Sequence, residues 1–256
     1  MNINVIVLDL DGTVLHDDKS ISDYTISILN RCKEKGIQIV VATARSEKAA
    51  ERYIKKIAPD VIIANGGSLV RYKGEVIFEC RLRAKIIDSI ICEIMNHKDF
   101  VSVTAETDKG YYVSWETADV AEYAHAIHYD FTTPLSQDVY KITVELKSTD
   151  CIYYIQEKYP ECGVISFSDM NWYRIANKDA TKMNAIRALA NYFQVELSGI
   201  VAFGDDYSDL EMIRDCGIGV AMKNGISEIK AIADCICETN NDDGVAKWLE
   251  NSLLLV

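Results

Sequence analysis

Several things are scarce or missing in this sequence, and each absence removes a class of function. No stretch of the 256 residues approaches the roughly 20 consecutive apolar residues that a membrane-spanning helix needs. The N-terminus shows no basic segment followed by an apolar run, so no secretory leader is read there and a cytoplasmic location is expected. Basic residues are in deficit, 27 Lys and Arg against 39 Asp and Glu, giving a net charge of -12 and a pI near 4.8. Phosphate backbones are bound through excess Lys and Arg, so nucleic acid is not expected as a main partner. A small anionic substrate stays open, because a metal ion and a few focused cations reverse the field locally. The eight cysteines include no CxxC pair, and Cys235 and Cys237 alternate along a strand-like run, which suits neither a zinc knuckle nor a disulfide. Reduced structural thiols are expected. Internal repeats and low-complexity tracts are absent.

What is present is an ordinary globular composition, 49% hydrophobic and 26% charged, in a chain long enough for one large domain or a core with an inserted smaller one. Val5 to Leu8 is a continuous apolar, β-branched run of the kind buried on both faces of a parallel sheet. Next comes a helix pattern with Ser22 as N-cap, Tyr24, Ile28 and Cys32 on one face, and Gly36 at its end. IQIVVATAR reads as a strand, Glu47 to Ile57 as a helix and Val61 to Ala64 as a strand. This alternation predicts right-handed crossovers in an α/β fold, a Rossmann-like doubly wound parallel sheet. The rhythm breaks after NGGSLVRYKGEVIFE, where two strands flank the Lys73–Gly74 turn, and it returns with the helix TKMNAIRALANYF and the strand-to-helix passage GIVAFGDDYSDLEMI. Residues 1–81 and 181–256 are therefore expected to form the core, with 82–180 an inserted α+β domain.

Ligands in open α/β sheets bind at the carboxyl ends of strands, and LDLDGT lies at such an end. There Asp9 and Asp11 can reach one crevice, with Gly12 allowing a tight turn behind them. Taken alone, such a pair is more often a solvated acidic turn capping a strand. It is not an EF-hand, whose loop needs glycine at the sixth position and an acidic residue at the twelfth, where Val14 and Ser20 stand. A second cluster, Asp205, Asp206 and Asp209 in GDDYSDLEM, follows another buried run. Carboxylates without His or Cys favour Mg²⁺, and a magnesium site left open to phosphate is its natural use. Thr43 ends the second core strand, where its hydroxyl and the Ala44 amide can meet a phosphoryl oxygen. Lys182, opening a helix, can supply a positive charge.

In this order the motifs resemble those of the haloacid dehalogenase superfamily, specifically its Cof-type phosphatases with a large inserted α/β cap. LDLDGTVL, VATAR, Lys182 in NKDATKMNAIRAL, and GDDYSDLEM match the four motifs, and the stretch from GVAMKNG to VAKWLE resembles the family's C-terminal segment. Ala44 stands where the family usually has Gly, and Ser208 where it usually has Asn; Arg174, Asn177, Asp179 and Met183 also depart from the common pattern.

The resemblance implies that Asp9 attacks phosphorus in line and forms an aspartyl-phosphate. It implies that Asp11 is general acid toward the leaving alkoxide and then base toward water, protonated for the first step through the covered cleft and the neighbouring Asp9. Mg²⁺ would be held by Asp9, the backbone carbonyl of Asp11 and Asp205, with Asp209 either a ligand through water or the partner of Lys182. Lys182, Thr43 and the Ala44 amide would neutralise the phosphoryl oxygens. The cap would close over the crevice and set specificity, with Tyr111, Tyr112, Trp115, Trp172 and Tyr173 as candidates for stacking on a small phosphorylated metabolite, a sugar phosphate or a phosphorylated cofactor, although for each of them packing between cap strands and cap helices is the commoner use. Two alternatives share the same core: a phosphomutase or phosphotransferase, and a ligand-sensing protein without turnover. Oligomeric state is left open by the sequence.

Overall fold

The computed structural model describes residues 3–116, 125–167 and 171–254. It divides into two compact units, Met1–Glu79 with Thr181–Val256, and Cys80–Ala180. The sequence boundary at 81/82 thus moves by two residues: Asn177 donates to the Arg81 carbonyl and Arg81 to the Tyr140 hydroxyl, at 3.2 and 3.0 Å, tying Arg81 into the second unit.

In chain order the first core segment carries β1 (Val5–Leu8), α1 (Asp23–Glu34), β2 (Gln38–Ala42), α2 (Glu47–Ile57), β3 (Val61–Ala64), β4 (Leu69–Tyr72) and β5 (Glu75–Glu79). The inserted unit contributes α3 (Ala84–Met95), β6 (Phe100–Glu106), β7 (Tyr111–Val113), β8 (Ala126–His128), β9 (Lys141–Leu146), α4 (Asp150–Lys158), β10 (Cys162–Ser166) and β11 (Trp172–Asn177). The chain then returns to the core as α5 (Lys182–Phe193), β12 (Ile200–Gly204), α6 (Leu210–Asp215), β13 (Ile218–Met222), α7 (Ser227–Ile232), β14 (Cys235–Cys237) and α8 (Gly244–Leu249).

The core sheet has the order β14-β13-β12-β1-β2-β3-β4-β5. From β14 to β3 every pairing is parallel, and β4 and β5 add an antiparallel hairpin at one edge. From β1 the chain steps outward through β2 and β3, then returns to β12 on the other side of β1. The switch of direction falls between β1 and β12, the place where open α/β sheets take their ligands beyond the carboxyl ends of the strands. Val5–Leu8 is wholly buried because both faces are covered. Ile6 and Leu8 point into one apolar cluster with α1, α2 and α8, while Val5 and Val7 point into the other with α5, α6 and α7.

Ser22 caps α1 by accepting from the Thr25 N–H at 2.9 Å. The apolar face of that helix is Thr25, Ile28, Leu29 and Cys32, and Tyr24 turns outward to donate to Glu250 at 2.7 Å. Lys73 and Gly74 both have positive φ, 48° and 85°, as a two-residue hairpin turn requires. All eight cysteines are free thiols. Among the described residues no helix is long and apolar enough to cross a membrane.

The second unit is a six-stranded sheet, order β10-β11-β9-β6-β7-β8, antiparallel except for β7 with β8. Side chains alternate across a strand, so Val103, Ala105, Ile142, Val144, Tyr173 and Ile175 share the face that packs on α3 and α4. Tyr173 is thereby part of this unit's own core, and Tyr112 packs against the same cluster. Trp172, one residue before it, lies on the opposite face of the sheet.

Candidate active site

Asp9 directly follows β1 and stays in the ladder, its N–H donating to the Phe203 carbonyl at 3.1 Å. Asp205 directly follows the neighbouring β12, so adjacent parallel strands deliver two carboxylates to the crevice. Gly12 makes room for both loops to approach. Its φ is +76°, and a Cβ there would lie 2.2 Å from Asp205 Oδ2. Thr13, 1% exposed, then donates to Asp205 Oδ1 at 2.8 Å.

Lys182 enters from a third direction. It begins α5, whose N-cap Thr181 accepts from the Asn184 N–H at 3.1 Å. A lysine in a first helical turn opposes the helix dipole, and here two carboxylates more than offset that. Lys182 Nζ donates to Asp9 Oδ1 and to Asp209 Oδ1, each at 2.6 Å, with the ammonium almost wholly enclosed. The approach of Thr181 depends on Gly67, φ +103°, where a Cβ would fall 2.2 Å from the Thr181 carbonyl. The same turn holds Thr43, whose carbonyl accepts from the Gly66 N–H at 2.9 Å. Thr43 is 1% exposed, and its hydroxyl oxygen accepts from the Arg45 N–H at 3.1 Å, past Ala44.

Asp209 uses both carboxylate oxygens. Oδ1 meets Lys182, and Oδ2 accepts from the N–H groups of Asp205 and Asp206 at 3.1 and 3.2 Å, shaping the turn that presents Asp205. One oxygen each from Asp9, Asp205 and Asp209 lies within 4.8 Å of the others. Burial raises Asp9 well above the ordinary carboxylate range against the pull of Lys182, and Asp209 and Asp205 add to the rise. Burial likewise pushes Asp205 up to about 7, with Asp209 reinforcing it. For Lys182 burial works downward, but Asp209 and Asp9 outweigh it and its ammonium is held above the ordinary lysine value. Three crowded carboxylates of which Lys182 neutralises one charge, all offering hard oxygens, fit a divalent cation of the Mg²⁺ type.

The carboxylate of Asp11, whose backbone carbonyl alone was expected at the metal, stands apart from the group of three; Arg45 grips it with two bonds, Nε to Oδ2 at 2.6 Å and Nη2 to Oδ1 at 2.8 Å, and Lys19 adds a third at 2.9 Å. Burial pulls its pKa upward, but Arg45 and Lys19 prevail and bring it down to about 2. The expected protonation of Asp11 by the cleft and Asp9 is therefore reversed in this state. Two cations, not the nearest carboxylate, dominate its surroundings.

Of the residues picked from the sequence, Asp9, Lys182, Asp205 and Asp209 come together, with Thr43 and Ala44 at the end of adjacent β2. Thr13, Lys19 and Gly67 were not picked, and Arg45, inside VATAR, had no contact assigned. Its place just past β2, the strand paired with β1 that leads into LDLDGT, is the sequence feature that brings Arg45 within reach of Asp11.

An open α/β sheet here gathers carboxylates, a buried lysine and a strand-end threonine at its switch point, an arrangement suited to holding an anionic group. A profile of the haloacid dehalogenase-like hydrolases matches residues 6–249, and the chain belongs to that family of enzymes. It is 27% identical over 260 residues, 96% of each chain, to the Bacillus subtilis 5-amino-6-(5-phospho-D-ribitylamino)uracil phosphatase YitU. A solved haloacid dehalogenase-like hydrolase from B. subtilis superposes with a TM-score of 0.87 at 20% identity, covering 98% of this chain and 100% of the other. A solved subclass IIB sugar phosphatase gives 0.85 at 21% identity, covering 97% and 98%. These two structural likenesses speak to the fold.

Proposed function

We propose that the protein is a Mg²⁺-dependent phosphatase of small phosphomonoesters, sugar phosphates or phosphorylated cofactors, working through an aspartyl-phosphate on Asp9. The observation that carries this reading is the bridge from Asp9 through Lys182 to Asp209, at 2.6 Å on each side, beside Asp205. The sugar phosphatase among the structural relatives and the ribitylamino-uracil phosphatase among the sequence relatives support the substrate class.

Asp9 attacks phosphorus as the carboxylate, and Lys182 beside its Oδ1 favours that ionised form. Lys182, the Thr43 hydroxyl and the Ala44 amide stabilise charge on the phosphoryl oxygens. Mg²⁺, held by Asp9, Asp205 and the Asp11 carbonyl, would supply further neutralisation of that charge. Asp209 holds Lys182 and the Asp205 turn in place. Asp11 gives a proton to the leaving alkoxide and takes one from water in the second step. The inserted unit sets which phosphoesters are accepted, with Tyr111, Trp115 and Trp172 as contact candidates. With eight free thiols the chain suits a reducing compartment, and we assign it to the cytoplasm.

A screen of phosphorylated metabolites with Mg²⁺, reading inorganic phosphate, tests the proposal. Release that stops with chelator is expected. Isomerised or transferred phosphate in place of free phosphate, or no turnover of any ester, would overturn it.

A further inference from the structure

The loop that carries Asp11, Gly12 and Thr13 and the loop that carries Asp205 are joined by a third segment with no part in the proposed chemistry. This is the turn after β13, Lys223 to Ile226. The Asn224 side-chain amide donates to the Gly12 carbonyl at 2.7 Å, and two residues on the Ile226 N–H donates to the Asp205 carbonyl at 2.9 Å. Gly225, between them, packs on the Asp205 backbone, where a Cβ would lie 2.9 Å from the carbonyl oxygen. One short turn therefore fixes both loops at the level of their main chains.

The Asn224 amide has a defined orientation. Its Oδ1 accepts from the Asn240 N–H at 3.0 Å, so the NH₂ end has to face Gly12 O. Asn240, 4% exposed, is braced in turn: its own amide donates to the Leu15 carbonyl at 2.9 Å and to Asp17 Oδ1 at 3.0 Å. Asn241 completes the brace with a reciprocal pair to Asp17, at 2.8 and 3.0 Å. The chain from Gly12 to Asp17 is thus gripped at Gly12, Leu15 and Asp17 by the segment 224–241.

We propose that Asn224 is a positioning residue for the metal site: by holding the Gly12 carbonyl it places Thr13, whose hydroxyl orients Asp205. This inference rests on the reading of Asp205 as a magnesium ligand. Groups that orient a ligand carboxylate affect metal affinity without touching the ion. Asn224 itself lies on the surface, so changing it removes little packing, and its effect on a buried carboxylate would be transmitted through Gly12 and Thr13.

The probe is Mg²⁺ alone, measured by calorimetry on the metal-free full-length protein without substrate. Asn224→Asp keeps the bond from Asn240 but sets an oxygen against the Gly12 carbonyl; Asn224→Ala removes both contacts without adding charge. Both variants are expected to weaken Mg²⁺ binding roughly three- to tenfold, the worth of one hydrogen bond. For Asn224→Asp this runs against the added negative charge, which by itself would tighten binding. Melting temperatures should fall by only a few degrees, and a merely stabilising role would lower them while leaving the affinity unchanged. Thr13→Val should weaken binding as well, and the double change Thr13→Val with Asn224→Asp should be no worse than Thr13→Val alone, because both act on one path. Unchanged affinity in the folded Asn224 variants, or fully additive losses in the double variant, overturns the inference while wild-type binding leaves the magnesium site standing. Failure of the wild-type protein itself to bind Mg²⁺ overturns both.

Discussion

Replacing Lys182 by methionine isolates the charge that joins Asp9 to Asp209. Methionine keeps most of the apolar stem of the lysine, so the start of α5 stays packed and the loss is chiefly the ammonium. In the native chain that ammonium is almost wholly enclosed and lies 2.6 Å from an oxygen of each aspartate. Removing one partner of a buried ion pair costs about 3–5 kcal/mol, because the remaining charge is left desolvated. For a chain of this size each kcal/mol moves the melting temperature by roughly 2–4 °C, so a fall on the order of 6–20 °C is expected near pH 8. The loss depends on pH with a definite sign. Asp9 is already raised by burial, and without Lys182 it rises further. A carboxyl whose folded pKa exceeds its unfolded value favours the fold most at low pH and loses that contribution as pH climbs through the folded pKa. Lys182, held above the ordinary lysine value, keeps its own contribution through this whole range in the native chain. The gap between native and variant protein should therefore be small near pH 5 and widen toward pH 9. Turnover should fall at least roughly 100-fold, the scale for one lost charge-stabilising group. Calorimetric melting of both proteins across this range, with phosphate release at pH 7, makes the measurement. A variant within about 2 °C of native at pH 8, with no pH dependence to the difference, would refute the buried-pair reasoning.

Asp9→Asn should abolish phosphate release while leaving circular dichroism unchanged, since it keeps the shape and removes nucleophile and charge together; residual turnover at a measurable rate would exclude Asp9 as the attacking group. The metal-free protein should lose stability as pH rises from about 5 to 8, because Asp9 is raised and Asp205 is raised to about 7, so both resist ionisation in the fold. Mg²⁺ should restore most of that loss, and melting curves that are flat with pH in chelator would count against the crowded carboxylates. Asp11→Asn should slow hydrolysis of an alkyl phosphate by about 10² to 10⁴ and that of a nitrophenyl phosphate far less in the phosphorylation step, since only the alkoxide needs a proton. Stopped-flow release of nitrophenolate should show a burst on this variant, and equal losses on both esters without a burst would reduce Asp11 to a structural residue.

The core was legible because its strands are short, continuous apolar runs closed by distinctive residues. Val61–Ala64 and the Lys73–Gly74 hairpin fall where the pattern put them, and α2 runs from Glu47 to Ile57 as read. Backbone demands are local there, and the sequence within a few residues meets them. Tyr173 and Trp172 show the opposite case. Which of two adjacent aromatics faces the second unit's core depends on pairing with Val144 and Glu145, residues far off in the chain. Nothing in the short run WYRIAN fixes that register.

The site divides along the same line. Which residues carry oxygen and charge could be read from LDLDGT, VATAR, Lys182 and GDDYSDLEM, because each motif sits at a strand or helix end whose direction the fold dictates. Which charge meets which was legible only in part: Asp209 beside Lys182 was one of two readings, whereas the partners of Asp11 were not foreseen. Asp11 lies two residues from Asp9, and sequence proximity made repulsion between them look decisive. In the structure Arg45, 34 residues away, and Lys19, at the tip of a loop where φ reaches +64°, reach it instead. The chemical consequence follows from Coulomb's law. A carboxylate gripped by a guanidinium and an ammonium is held ionised, so it has no proton to donate, and the same two cations make it a weaker base toward water. In the proposed mechanism Asp11 has to donate first, so its contacts with Arg45 and Lys19 must loosen before the leaving group departs. A phosphate dianion bound within reach of Arg45 and Lys19 would compete for the same two cations and so would weaken their hold on Asp11 at the step that requires it.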